Sequence, residues 1–134
     1  MNTPGNSATC GVKAVLLVFW ATWCAPCNAQ TPLLRSLWER HGADGRLQII
    51  GLILDWDLEQ AQRYLAQDAL PWPQYHIGAW GENNPVARAY GMNYLPSNWL
   101  LNAVGVILAA TIPTQELESV IEGMMAQVGA DSPE

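Results

Sequence analysis

Cys24 and Cys27 are the two side chains whose type and spacing in this sequence are best suited to chemistry. They are separated only by Ala25 and Pro26. A thiolate at one cysteine can attack a disulfide, and a second cysteine at this distance along the chain can resolve the mixed disulfide that results. The pair therefore predicts a redox-active dithiol that performs thiol–disulfide exchange.

The dithiol lies where a buried strand gives way to a helix. Residues 12–20 are almost continuously apolar, which is typical of a strand covered on both faces in a parallel sheet. Cys24 then falls at the start of a helix, where unpaired backbone N–H groups and the helix dipole favour an anionic thiolate. Pro26 falls in the first helical turn, where its missing N–H costs little.

Structural zinc is the alternative that must be weighed for any CxxC pair. Zinc requires four ligands, usually supplied by a second CxxC or by paired histidines. The chain offers one further cysteine, Cys10, and two isolated histidines, His41 and His76. Cys10 is interpreted as an incidental free thiol, since it lacks the helix N-terminal setting that makes a thiol reactive. We therefore expect no structural zinc site, and nothing in the sequence predicts a cofactor.

The composition excludes several classes of protein. The chain has 134 residues, of which 50% are apolar and 13% are charged, so it can bury a core and is not disordered as a whole. Its formal net charge is −6, and without a basic cluster it is unsuited to nucleic acid or to an anionic membrane surface. No apolar run approaches the roughly 20 residues of a membrane span.

We expect a single domain with short ends. Residues 1–11 are predicted to form a flexible arm, residues 12–129 one domain, and residues 130–134 a frayed tail. The arm lacks the hydrophobic segment of a signal peptide. This is compatible with a cytoplasmic protein, and equally with an exported protein whose signal is absent from this chain.

Hydrophobic periodicity predicts an α/β fold with a central mixed sheet. Its first two strands are expected to be parallel, joined by a right-handed crossover, and a hairpin is expected to add antiparallel strands. Helices are expected to cover both faces. The predicted order is a strand (12–20), a helix ending at Gly42, a strand (47–54), a helix beginning after Asp57, a short helix (85–90), two hairpin strands (97–101 and 106–111) and a helix (114–128).

The segment from Phe19 to Cys27, FWATWCAPC, resembles the active-site segment of the thioredoxin superfamily, and within it the bacterial TlpA/ResA-like thiol-disulfide oxidoreductases. Pro32 stands where that family kinks its active-site helix, and residues 90–96 resemble the segment that leads to its cis-proline. The resemblance implies a thioredoxin fold. The long spacing from Cys27 to Pro96 matches the helix-containing insertion of the TlpA-like branch.

The resemblance also implies a division of roles in the site. Cys24 is expected to be the exposed nucleophile and Cys27 the buried resolving thiol, acting on disulfides of protein substrates. Pro96 is expected to be a cis-proline that faces the dithiol, with Leu95 before it contacting substrate. Trp23 is expected to line the same substrate surface.

Ala25 and Pro26, between the cysteines, are also expected to contact substrate. They include no histidine, so the strongly oxidising members of the superfamily are not matched, and a reductant or mild exchanger is favoured. The segment 94–97 lacks the glutamate of the cytochrome-maturation branch, which argues against a dedicated cytochrome role.

The chain departs from the thioredoxin pattern at one acidic position. Thioredoxins carry a buried aspartate in the strand before the dithiol, and the matching residue here is Val18. Asp55, just after the second strand, is the candidate for tuning the thiol pKa instead. The alternative is that Asp55 and Asp57 only cap the helix that follows.

Two other functions remain as hypotheses on the same fold. A copper-handling module would bind metal through Cys24 and Cys27, because thiolates are good ligands for cuprous ion, although the family's copper carriers add a histidine that has no obvious counterpart here. Peroxide reduction would require a Thr or Ser three residues before the cysteine and a proline further upstream. Ala21 and Leu17 occupy those positions, which disfavours it.

The resemblance implies an extracytoplasmic, periplasmic place of work, where disulfides persist, with a cytoplasmic location as the alternative. The expected partners are protein disulfide substrates and an electron-donor thiol protein, such as a membrane thiol transporter. The protein is expected to be a monomer.

Overall fold

A computed structural model describes residues 14–43 and 45–131 of the chain. The predicted arm with Cys10, and the last three residues of the predicted tail, lie outside the described residues. The elements are the strands β1 (Ala14–Trp20), β2 (Leu47–Ile53), β3 (Gln74–His76), β4 (Ser97–Asn102) and β5 (Ile107–Ala109), and the helices α1 (Ala25–Leu37), α2 (Leu58–Gln67), α3 (Pro85–Ala89) and α4 (Thr114–Asp131).

The strands form one five-stranded mixed sheet in the order β3-β2-β1-β4-β5. The central strand β1 runs parallel to β2 and antiparallel to β4, and β4 pairs with β5 as an antiparallel hairpin. The predicted mixed sheet is therefore confirmed. The three-residue strand β3, which is parallel to β2, was not predicted, because Pro71 and Pro73 precede it and so short a run has no periodicity of its own.

Several element boundaries differ from the predictions. The second hairpin strand, predicted over 106–111, is confined to Ile107–Ala109, since the pairing with β4 shifts register between Leu100 and Leu101. The first helix reaches Gly42 as predicted, but its end is a single π-helical turn, Trp38–Gly42. The last helix continues to Asp131, past the predicted end at residue 128.

Two apolar clusters lie on opposite sides of the sheet, because successive side chains of a strand alternate between its faces. On β1, Leu16 and Val18 belong to the first cluster with residues of α1, α2 and α4, and this cluster includes both Cys24 and Cys27. Phe19 belongs to the second cluster, which lies on the other face of the sheet and includes Ala87 of α3. The dithiol is thus built into the main core. Among the described helices, none has the length and apolar character needed to cross a membrane.

Candidate active site

The dithiol turn joins the carboxyl end of β1 to the start of α1. Cys24 is the N-cap of α1, and its Sγ accepts a hydrogen bond from the backbone N–H of Cys27 at 3.2 Å. Cys24 and Cys27 form a disulfide. The turn is closed by a hydrogen bond from the N–H of Cys24 to the carbonyl of Ala21 at 3.1 Å. This position at a helix N-terminus places the Cys24 sulfur beside an N–H group that favours a thiolate when the bond is reduced.

Both sulfur-bearing residues are buried in this disulfide form. Cys24 is 5% exposed and Cys27 is 2% exposed, so the expectation that Cys24 would be the exposed one is wrong for this state. The reason is local, since the Cys24 side chain turns back over the first helical turn to bond Cys27. Ala25 and Pro26, in contrast, are exposed.

Asp55 anchors the turn that precedes Cys24. Its carboxylate is fully buried and accepts hydrogen bonds from the backbone N–H of Thr22 at 2.7 Å and from the Thr22 hydroxyl. Asp57, not Asp55, caps α2, accepting from the N–H of Glu59 at 2.9 Å. A buried carboxylate must be hydrogen-bonded. The partner of Asp55 is Thr22, which lies two residues before Cys24.

A second set of polar contacts supports the same turn from α1 and α2. The Asn28 amide donates to the carbonyl of Thr22 at 3.2 Å, and the Tyr64 hydroxyl donates to the Asn28 side-chain oxygen at 3.0 Å. Burial raises the pKa of Tyr64, the Asp68 carboxylate raises it further, and Arg35 opposes them. The Tyr64 hydroxyl therefore keeps its proton, and this hydrogen bond, into alkaline solution.

The Leu95–Pro96 peptide bond is cis, as the resemblance predicted. Ser97, the next residue, pairs with Phe19 on β1. Pro96 thus lies at the end of the sheet from which the dithiol turn leaves. Leu95 is partly buried and packs against both apolar clusters, including the one that contains the cysteines.

A buried amide pair joins the dithiol helix to the strand after the cis peptide. The side chains of Gln30 and Asn98 exchange hydrogen bonds of 3.0 and 2.7 Å. Asn98 also donates to the carbonyl of Ile112 at 3.0 Å, and the Thr114 hydroxyl donates to Gln30 at 2.7 Å. This network was not predicted from the sequence. The one available signal was a glutamine three residues after Cys27 and four before Leu34, on the apolar face of α1.

Trp23 stacks on Trp56, a residue that the sequence analysis did not single out. The ring centroids are 5.4 Å apart and the planes differ by 19°. Trp23 is 39% exposed and Trp56 is 68% exposed. The surface beside the dithiol is therefore aromatic.

Val18, where thioredoxins carry their aspartate, is buried in the first cluster. Asp55 is thus the buried acid that the structure places beside the dithiol turn. Within residues 14–43 and 45–131, no three His, Cys, Asp or Glu side chains come together in a group that could hold a metal ion.

The fold and the site define a thioredoxin-fold protein with a CxxC disulfide at the start of its first helix. The family model described as thioredoxin-like matches residues 11–107, and the chain belongs to that family.

Similar proteins include a thiol-disulfide oxidoreductase from Bacteroides fragilis NCTC 9343, whose structure is 31% identical with a TM-score of 0.70, over 84% of this chain and 81% of that one. The C-terminal domain of a Bacteroides thetaiotaomicron protein, assigned as a thiol-disulfide oxidoreductase, is 28% identical with a TM-score of 0.76, over 91% and 83% of the two chains. The thiol-disulfide oxidoreductase ResA of Bacillus thuringiensis (strain Al Hakam) is 28% identical over 87% of this chain. The alignment spans 64% of that relative's length.

Proposed function

We propose that this chain is a thiol-disulfide oxidoreductase that reduces or exchanges disulfides of protein substrates. The observation that carries the proposal is the Cys24–Cys27 disulfide at the N-cap of α1. Its position at the carboxyl end of the central strand supports the same function, because sites in open α/β sheets form at that edge.

Two exchange steps transfer two electrons. In the reduced protein, the Cys24 thiolate attacks one sulfur of a substrate disulfide, which forms a mixed disulfide and releases the other substrate sulfur as a thiolate. The Cys27 thiolate then attacks Cys24 Sγ, which forms the Cys24–Cys27 disulfide and releases the second substrate thiolate. The substrate gains the two electrons, its two thiolates take up protons, and a separate thiol donor must reduce the protein again.

The helix N-terminus supports Cys24 as the nucleophile. The Cys27 N–H lies 3.2 Å from Cys24 Sγ, and this N–H and the helix dipole remain in place to stabilise a thiolate after reduction. The pKa of the Cys24 thiol is therefore expected to lie below the ordinary value of about 8.5.

Substrate binding is proposed for Trp23, Ala25, Pro26, Leu95 and Pro96. The first three are exposed around the dithiol, and the last two are partly exposed at the same end of the sheet. Together they would contact the substrate chain on both sides of its reacting cysteine.

We propose that the protein works as a reductant or mild exchanger outside the cytoplasm, as a monomer, with an extracytoplasmic thiol protein as its electron donor. No histidine lies between the cysteines, and a cation near the thiolate is one way in which strong oxidants stabilise their reduced form. Thiol trapping of the chain in separated periplasmic and cytoplasmic fractions would test the location.

The reduction potential tests the proposed activity. The chain is equilibrated in glutathione or dithiothreitol buffers and its thiols are trapped. We expect one two-electron transition near the potential of thioredoxin, about −270 mV. It should persist in Cys10→Ser, the matched control, and disappear in Cys24→Ser. Loss of the transition in Cys10→Ser, or no reversible transition at all, would refute the proposal, and a value near about −120 mV would reverse the proposed direction.

A further inference from the structure

The loops that follow β1 and β2 contact each other at two successive positions. Thr22 is bonded to Asp55, and the next residues along, Trp23 and Trp56, stack on each other. The loop after β2 is itself held in place, because the His76 ring donates to the carbonyl of Asp55 at 2.8 Å. Trp56 thus lies on a loop that is held by the hydrogen bonds of Asp55 to Thr22 and to His76.

The Trp56 side chain contributes little to the core. It is 68% exposed, so most of its apolar surface stays in water and yields little hydrophobic stabilisation of the fold. Tryptophan side chains are enriched where proteins bind other chains, since they offer a large rigid surface with few rotatable bonds. An exposed tryptophan stacked on the tryptophan that precedes Cys24 is best explained by contact with substrate.

The residues that follow Trp56 in the sequence include two acids. Asp57 and Glu59 follow Trp56 and are exposed. The nearest described cation on α2, Arg63, lies 3.9 Å from Glu59 and is itself well exposed. Carboxylates of an approaching substrate would meet like charge here, and apolar or aromatic side chains would not.

We propose that Trp56 is a specificity-determining residue of this site. Together with Trp23 it forms a platform that binds an aromatic side chain next to the reacting cysteine of the substrate, while Asp57 disfavours an acidic one. The inference rests on the proposed oxidoreductase function and names the class of substrate segment that the site prefers.

The test uses three disulfide-linked peptide homodimers with Phe, Gly or Glu before the single cysteine. In a homodimer both sulfurs of the disulfide are equivalent, so attack on either gives the same product. The second-order rate constant for reduction by pre-reduced protein is measured in single turnovers. We expect the Phe peptide to react about two- to tenfold faster than the Gly peptide, as an aromatic contact allows, and the Glu peptide to react more slowly than both.

Substitutions at Trp56 test whether its side chain causes the preference for the Phe peptide. Trp56→Ala should bring the ratio of the Phe and Gly rate constants to about one, because alanine removes the aromatic ring. Trp56→Phe should retain most of the preference, because phenylalanine keeps an aromatic ring. Tyr75→Ala is the matched control, since Tyr75 is also an exposed aromatic residue, at 56%, but stands on the edge strand β3. Urea unfolding of each variant verifies that it folds.

The outcomes separate the two proposals. Equal rates for the Phe and Gly peptides in the wild-type protein, or a preference that survives Trp56→Ala, would overturn the role of Trp56 and leave the oxidoreductase activity standing. A pre-reduced wild-type protein that reduces none of the three peptides would overturn both.

Discussion

The carboxamides of Gln30 and Asn98 exchange two hydrogen bonds, of 3.0 and 2.7 Å, in the interior of the protein. Gln30 lies on the helix that begins at the dithiol, and Asn98 lies on the strand that begins after the cis Leu95–Pro96 peptide. This pair therefore fixes the dithiol helix against the segment expected to bind substrate. Both side chains are buried, so neither can replace its lost partner with bulk water.

Asn98→Ala should destabilise the protein by about 1–3 kcal/mol, because it leaves the buried Gln30 amide and the Ile112 carbonyl without this partner. The free energy of unfolding is measured in urea. Gln48→Ala is the control, since Gln48 is only half-buried and its side chain bonds the carbonyl of the adjacent Ile49. The double variant Gln30→Leu/Asn98→Ala should lose less than the sum of the single losses. Strict additivity would contradict a direct coupling between the two amides.

Asp55→Asn tests the acid beside the dithiol turn. The amide keeps the shape of the carboxylate and can still bond Thr22, but it removes a buried negative charge near Cys24. A like charge disfavours a thiolate, so the pKa of Cys24 in the reduced protein should fall in this variant. The rate of alkylation by iodoacetamide against pH reports that pKa.

Asp57→Asn is the control for this measurement, because Asp57 is exposed and caps α2. It should leave the alkylation profile close to that of the wild-type protein. If Asp55→Asn also leaves the profile unchanged, Asp55 only holds the turn in place and does not tune the thiol.

Cys27→Ser should trap the first step of the proposed exchange. Cys24 remains able to attack a disulfide, but the mixed disulfide can no longer be resolved by Cys27. Incubation of pre-reduced Cys27→Ser with a disulfide-linked peptide should give a stable adduct of one peptide per chain, detected by mass spectrometry. The background variant Cys10→Ser removes the other thiol. Adduct formation by the double variant Cys10→Ser/Cys24→Ser would show that Cys24 is not the nucleophile.

Glu122 gives the protein an acid-sensitive contact on the side of α4. A hydrogen bond from the His41 ring, at 3.0 Å, is the main cause that holds the pKa of Glu122 below its ordinary value of 4.5, and the charges of His41 and Arg40 add to it while partial burial opposes it. A lowered folded pKa contributes stability above the unfolded pKa, and that stability is lost as the pH falls through the folded value.

Glu122→Gln should therefore be less stable than the wild-type protein at pH 7, and this difference should shrink as the pH falls below the ordinary glutamate pKa of 4.5 and through the lowered value of the folded protein. The effect is expected to be modest and to weaken with salt, because the Glu122 side chain is 37% exposed. Urea unfolding at pH 7 and at low pH measures it. Glu118→Gln is the control, since Glu118 bonds Arg40 at 3.0 Å and is more exposed. A stability difference for Glu122→Gln that persists unchanged at low pH would refute this assignment.

Local features of the sequence predicted the dithiol, the position of Cys24 at a helix N-terminus and the mixed sheet. These depend on contacts within a few residues, such as the N-cap bond between Cys24 and Cys27, and on apolar runs whose period is set by the strand or helix itself. The cis peptide at Pro96 followed from resemblance and not from physics, since a proline in sequence does not reveal its isomer.

The partners of the buried polar residues were decided only by the tertiary structure. Asp55 meets Thr22 across 33 positions of sequence, and Gln30 meets Asn98 across 68. Such pairs depend on the register of parallel strands, here Trp20 opposite Ile53, and on the packing of α1 against the sheet. The same register brings the loop of Trp56 beside that of Trp23. Periodicity could place each residue on its own element, but it carries no information about which loop lies next to which, because that is set by packing between elements distant in sequence.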